Sequence, residues 1–277
     1  MSNILRQRII KTIMTVIMVV IGIAMLLPLF WMFSASFKLE KDVFKYPIEW
    51  IPSQITYQNY VDVTSNWPYF TWYYNTLKVT ALSVLLGLFA CTMAGYALAR
   101  MRFKGRNVIL LIFIATLMFP IEVRLLPDFI IFKALGLYNT HAALILPSLF
   151  QGFMIFLFRQ YFMGIPYELT EAARIDGCGE FRTFYQVILP LAKPAIVSVT
   201  IISFVWGWNS YQRPLIFIND VDKQLLSVGI SLFREEYNDN VATQMAGASM
   251  AIIPVIIVYL IAQKYFVDGI ATTGLKG

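Results

Sequence analysis

Charge is scarce in this chain of 277 residues: Asp, Glu, Lys and Arg make up 14% of it, against about a quarter in an average soluble domain. With 58% apolar and 16% aromatic residues, that shortage excludes an ordinary soluble fold. Cysteine is nearly absent. Cys91 lies in an apolar run and Cys178 in a polar one, which excludes a disulfide framework and a cysteine-based metal cluster. The single histidine, His141, sits at the edge of an apolar run without a second His or Cys close by, so it reads as an interfacial residue and not as a metal ligand. No G-x-x-x-x-G-K-[ST] phosphate loop occurs, and neither H-E-x-x-H nor G-x-S-x-G is present. The chain is therefore not expected to bind ATP by a phosphate loop or to act as a hydrolase of those types. A net charge of +6 has no basic run with interleaved aromatics behind it, so nucleic-acid binding is not expected either.

What the chain has is long apolar runs. Six are free of charge, at 13–33, 79–99, 108–121, 142–158, 195–212 and 241–262. A bilayer needs roughly 20 residues of helix, and barrel strands would alternate polar and apolar residues, which these runs do not. The expected fold class is an all-α membrane protein with six transmembrane helices in one domain covering 1–277. The first run is long enough to span and lacks a small-residue cleavage site, so it is expected to stay as the first helix. The third is short. Its outer end is expected to be completed by neighbouring chain or to be partly unwound.

Lys and Arg set the orientation. With the N-terminus inside, the inner segments hold Arg6, Arg8, Lys11, Arg100, Arg102, Lys104, Arg106, Arg159, Arg174, Arg182, Lys193, Lys264 and Lys276. The inner acidic residues are only Glu168, Glu171, Asp176, Glu180 and Asp268. Both termini are thus expected in the cytosol. The outer segments are then 34–78, 122–141 and 213–240. The first is rich in Tyr and Trp and carries Pro47, Pro52 and Pro68, which predicts ordered loops and short interfacial helices. In the second run, Ala90 with Ala94 and Cys91 with Gly95 have the spacing that lets helices pack closely.

The inner loop 159–193 is longer than a turn between neighbouring helices requires. Pro166 and Glu168 mark a helix start and Gly177 a helix stop. A second helix is predicted from Phe181, Phe184, Tyr185, Ile188 and Leu189, spaced i, i+3, i+4, i+7 and i+8 and ended by Pro190. The sequence Glu171, Ala172, Ala173, Arg174, Ile175, Asp176, Gly177, followed by Ile188, Leu189 and Pro190, resembles the "EAA" loop of ATP-binding-cassette (ABC) importer permeases. Phe103 after the Arg100 to Arg102 turn, the run 135–140, Trp208 with Asn209, and the terminal 274–277 are similar to the carbohydrate branch of that family. The resemblance covers most of the chain. Cys178 departs from it, since a small residue such as alanine is usual there.

This resemblance implies that the loop helix is a coupling helix docking on a separate ATPase. Glu171, Ala172, Ala173, Asp176 and Gly177 would form that contact. It also implies a heterodimer with a homologous permease, two ABC ATPase subunits that bind ATP and Mg, an extracytoplasmic solute-binding protein, and a place in the bacterial or archaeal cytoplasmic (inner) membrane. No cofactor is expected on this chain. The absence of charge at the span centres disfavours an ion-coupled secondary transporter, which remains the contrasting class.

For the substrate pathway, Trp206, Trp208, Asn209 and Tyr211 offer aromatic faces and amide or hydroxyl groups at the outer end of the fifth run. An interfacial belt of Trp and Tyr accounts for the same residues. Pro120 and Pro127 bracket Glu122 and Arg124, where broken backbone is expected. Two roles stand open for Arg124: meeting an anionic substrate, or pairing with Glu122 or Asp128. The run 119–124 is also similar to glycerol-3-phosphate importer permeases, which keeps a phosphorylated polyol as an alternative cargo.

Overall fold

The structure is a computed structural model that describes residues 3–233, 240–261 and 263. Lys264, Asp268, Lys276, Ala262 and the run 274–277, used in the sequence argument, lie outside the described residues. Every regular element among the described residues is helical. The helices are α1 (Asn3–Ser36), α2 (Glu40–Val43), α3 (Gln58–Ser65), α4 (Tyr69–Arg100), α5 (Arg106–Leu117), α6 (Ile121–Ala134), α7 (Ala142–Ile145) and α8 (Gly152–Gly164). They continue as α9 (Glu168–Ile175), α10 (Glu180–Thr183), α11 (Leu189–Leu191), α12 (Lys193–Trp208), α13 (Gln212–Phe217), α14 (Leu226–Leu232) and α15 (Val241–Ala251). Four helical stretches are long and apolar enough to cross a membrane: Gln7–Ser36, Tyr69–Arg100, Ala142–Gly164 and Val241–Ile261. Two bent pairs raise the number to six if each is one span.

Several boundaries differ from the sequence reading. The second run begins not at 79 but at Tyr69, because Trp72, Asn75 and Thr76, which break the apolar pattern, are buried against 221–226. The Trp72 indole donates to the Val221 carbonyl at 2.6 Å, and Asn75 donates to the Asp222 and Gln224 carbonyls at 2.8 and 3.1 Å. In the third run, α5 stops at Leu117 and α6 leaves at 108°, so the expected break is there. It is confined to 118–120, and Glu122 and Arg124 stand in the first turn of α6, not in broken backbone. The fourth run continues to Gly164 and contains a 3-10 turn, Leu146–Phe150, before α8. The fifth ends at Trp208, and Asn209 is its C-cap.

Contacts divide the chain into two compact units, Met1–Tyr69 with Ile230–Ile252, and Phe70–Gly229 with Ile253–Gly277. In the first, α1 packs on α15, and the loop after α1 holds the expected short helices. That loop is ordered by side chains that bond to backbone. Buried Asn59 donates to the Ser36 and Lys38 carbonyls, both at 2.8 Å, and Lys38 donates to the Glu49 carbonyl. Glu40 accepts the Ala242 amide at 2.7 Å, and Asn240 accepts the Thr243 amide at 3.2 Å, satisfying donors of the α15 N-terminus.

In the second unit, α4, α8 and the segment 184–199 share an apolar core around Cys91, Tyr96, Ile155, Phe158, Phe162 and Ile188. The small-residue spacing read from the sequence serves the α4–α8 approach. A Cβ on Gly95 would stand 2.8 Å from the Phe158 Cβ and 3.1 Å from the Arg159 nitrogen.

Candidate functional site

Two places in the second unit gather polar chemistry. One is the loop between α8 and α12. Its α9 starts two residues after Pro166, which lies before the helix and not in its first turn. The helix is closed by Gly177 at φ +81, with the Gly177 amide donating to Arg174 and the Cys178 amide to Ala173 at 3.0 and 2.9 Å. This double bond pattern needs a left-handed residue, which glycine adopts without strain. Cys178 contributes through its backbone.

Thr170 and Ala173 are buried, while Glu171, Ala172, Ile175, Asp176 and Gly177 are exposed. Ala173 therefore faces the interior of its own chain, and its small size serves that packing instead of an outside contact. Ile175 is 86% exposed, an apolar side chain on the polar face beside Glu171 and Ala172. The sequence reading passed it over; the signal was an isoleucine out of phase with the buried Thr170 and Ala173.

The exposed face is held by a polar knot. Arg174 donates to Glu180 Oε1 at 2.6 and 3.1 Å and to the Tyr167 hydroxyl at 3.1 Å. The Tyr96 hydroxyl of α4 donates to Glu180 Oε2 at 3.0 Å. Arg100, at the end of α4, donates to the Phe162 and Ile165 carbonyls and lies 5.6 Å from the Tyr167 ring centroid. Its Nε and the Thr170 and Thr183 hydroxyls lack protein partners among the described residues. The hydrogen bond to Glu180, then that to Tyr167, raises the Arg174 guanidinium above its ordinary value.

Beyond Glu180 the predicted second helix is present with a different interior. A π turn, Phe184–Ile188, separates α10 from α11, and Pro190 lies inside α11 instead of ending the helix before it. Pro190 has no N–H to offer, and the Leu189 amide reaches back five residues to the Phe184 carbonyl. The stretch Glu180–Leu191 then meets α12 at 78°.

The other place is a cavity of about 470 Å3 among α4, α5, α6, the 146–151 break, α8, α12 and α13. Trp206, 59% exposed, stands over it with its ring 6.4 Å from Phe153, and Gln151 and Ser83 add an amide and a hydroxyl. Among the described residues, the charged ones lining it are Arg124 and Arg213. Arg213 pairs with Asp128, 85 positions away, and its Nη1 has no partner among the described residues. Burial holds the Arg213 guanidinium below its ordinary value; Asp128 opposes that shift and the charge of Arg124 adds to it. Arg124 makes no ion pair among the described residues, so the expected pairing with Glu122 or Asp128 is not formed.

The other expected pathway residues stand elsewhere. Trp208 is 4% exposed, stacked on Phe204 at 5.7 Å and edge-on to Tyr73 at 5.3 Å. Asn209 donates to the Val205 carbonyl of its own helix at 2.8 Å. Tyr211 precedes α13, Glu122 is exposed, and neither lines the cavity. The run 135–140 is a turn. Asn139, at φ 60, accepts the Asn219 and Asp220 amides at 3.1 Å through its side chain. Next to it, His141 Nε2 meets the Lys223 carbonyl at 2.8 Å. Among the described residues no group of three His, Cys, Asp or Glu side chains is placed to hold a metal.

Comparison with known proteins agrees with this architecture. A family model described as binding-protein-dependent transport system inner membrane component matches residues 88–272. The arabinooligosaccharides transport system permease protein of Halalkalibacterium halodurans is 36% identical over 90% of this chain and 91% of its own length. The sn-glycerol-3-phosphate transport system permease protein of Escherichia coli is 33% identical over 94% and 95%. A chain of a solved bacterial ABC transporter involved in the import of the acidic polysaccharide alginate superposes with a TM-score of 0.85 at 28% identity, covering 96% of this chain and 99% of that one. The loop helix, the bent helix pairs and these matches together place the chain: it belongs to the family of inner-membrane components of binding-protein-dependent transport systems.

Proposed function

We propose that this chain is the permease half of a binding-protein-dependent ABC importer for a carbohydrate, in the cytoplasmic (inner) membrane of a bacterium or archaeon. Its 277 residues act as one permease domain of six spans, with both termini and the α9 loop in the cytosol. A homologous permease completes the pathway, an extracytoplasmic solute-binding protein delivers the solute, and two ATPase subunits bind ATP and Mg. This chain is not catalytic and carries no cofactor.

The observation that carries this reading is the exposed face of α9, tied to α4 through Glu180 and Tyr96. A docked ATPase touching Glu171, Ala172, Asp176 and Gly177 would move a helix already fastened to a span, which is what alternating access requires. Ile175 joins that contact as an apolar knob, while Ala173 supports it from beneath. In the cavity, the Trp206 face and the Gln151 amide suit a hydroxyl-rich solute.

The test is reconstitution. The chain alone in liposomes is expected to move no solute down an ion gradient, and the full set of subunits to import it with ATP. Transport by the chain alone overturns the reading in favour of an ion-coupled carrier. Glu171→Lys is expected to abolish ATPase binding or uptake by placing the wrong charge at the contact; unchanged uptake and assembly would remove the docking role. A second cargo, glycerol-3-phosphate or another phosphorylated polyol, keeps the same architecture. The basic lining of the cavity favours it.

A further inference from the structure

The two guanidiniums of the cavity are badly matched by what surrounds them. Asp128 supplies one carboxylate, already engaged by Arg213, and no acidic residue among the described ones lines the cavity itself. Arg124 therefore brings a second positive charge close to Arg213 without an ion-pair partner of its own among the described residues. The Arg213 side chain is only 20% exposed, and its buried Nη1 is an unmet donor. A buried unmet donor is costly, and here it stands beside an exposed guanidinium without a carboxylate; a cationic surplus of this kind marks a place where an anion is stabilised on arrival.

We infer that Arg124 and Arg213 form a subsite for the anionic group, phosphate or carboxylate, of a transported polyol or sugar, with Asp128 positioning Arg213. The inference rests on the importer reading above. Bidentate donation by a guanidinium fits either anion, and the planar fork of Arg213 is fixed in the cavity lining by its bond to Asp128. Trp206 and Gln151, in the same lining, face the hydroxyl-bearing remainder of the solute. A phosphate of a lipid headgroup has the same chemistry, so the lipid is the source to be separated from the solute.

The experiment uses the complete transporter complex in nanodiscs of phosphatidylcholine. Arginine modification by phenylglyoxal is followed at Arg124 and Arg213 by peptide mass spectrometry, with sn-glycerol 3-phosphate, galacturonate or inorganic phosphate added. Glycerol and galactose serve as neutral controls. At least one anionic probe is expected to slow modification at both arginines roughly tenfold, and the neutral controls to leave it unchanged. Arg124→Gln, which removes an exposed side chain with no ion pair, is expected to weaken that probe roughly tenfold. Asp128→Asn, which removes the carboxylate that fixes Arg213, is expected to weaken it as well. Three results overturn the subsite: no protection by any anionic probe, protection that appears only when phosphatidylglycerol replaces part of the lipid, or an Arg124→Gln variant with unchanged affinity. If ATP-dependent uptake persists in any of those cases, the subsite alone is wrong; if no solute is taken up with ATP, the importer reading fails first.

Discussion

The knot beneath α9 and the cavity beside Trp206 are built from the same side-chain chemistry to opposite effect. Both contain two arginines and a carboxylate, and both touch α4: Ser83 and Gly87 line the cavity, whereas Tyr96 and Arg100 enter the knot. Thirteen residues of helix, about 20 Å, separate Gly87 from Arg100. In the knot, Glu180 takes Arg174 on one oxygen and Tyr96 on the other, and Arg100 is spent on two carbonyls and a tyrosine face. In the cavity, one carboxylate serves one arginine and leaves the other over. A cluster whose carboxylate is shared between two elements fixes a helix in place, whereas a cluster whose carboxylate leaves one arginine unpaired is completed only by something that arrives.

That contrast can be broken most severely at the cavity wall. Trp208→Ala, in the packed layer behind it, is expected to cost about 3–5 kcal/mol and to lower the melting temperature of the detergent-solubilised chain by many degrees. Trp206→Ala, on the exposed side, is expected to shift stability by less than about 0.5 kcal/mol while reducing solute uptake. Equal losses of stability from the two would mean that Trp206 is core and not lining. Next in size is Gly95→Leu, at the α4–α8 approach shared by both regions. With 2.8 Å available to a Cβ, it is expected to cost about 1–3 kcal/mol, read as reduced melting temperature and yield.

Glu180→Ala sharpens the comparison from the other side. The Arg174–Glu180 pair is about 40% exposed, so its direct worth to stability is at most about 1 kcal/mol. Coupling between α9 and α4 is expected to suffer more, with ATP-driven uptake falling roughly three- to thirtyfold. Tyr96→Phe tests the α4 link alone; unchanged uptake in both variants would reduce the knot to decoration.

The smallest effect concerns pH. Burial holds the His141 imidazole below its ordinary value, so the folded state binds a proton less readily than the unfolded chain. Stability is then complete above the unfolded value of about 6.5 and declines as pH falls through that value toward the lower folded one. The melting temperature of the parent chain is expected to drop more between pH 7.5 and 5.5 than that of His141→Gln. Parallel curves would show that the imidazole accepts its proton in place.

How much of this was legible depends on distance along the chain. The α9 helix was readable because its signals are local: Glu168 at the start, Gly177 at the stop, and a short polar stretch between apolar runs. The coupling of Tyr96 to Glu180 and of Asp128 to Arg213 was not, since each joins residues more than 80 positions apart and neither partner carries a local mark. Hydropathy also misplaced the start of α4, because Asn75 and Thr76 look like loop residues until their bonds to 222–226 are known. Aromatic residues misled in a third way. Trp206 and Trp208 are two positions apart on one helix, so they point to different sides, and composition alone could not say which faced the cavity.

The first helix has a consequence of another kind. From Gln7 to Phe30 nearly every side chain of α1 is exposed, and none is buried by packing among the described residues. Its charge-free part, 13–33, is about 32 Å long at helical rise, close to the hydrocarbon thickness of a bilayer. Only its last turns pack on α15 and the loop after it among the described residues, so α1 answers a thicker or thinner bilayer by changing its tilt, at a cost of fractions of a kcal/mol per Å of mismatch. Lipid chain length is therefore a control variable for this protein, and membranes of different thickness will hold α1 at different angles.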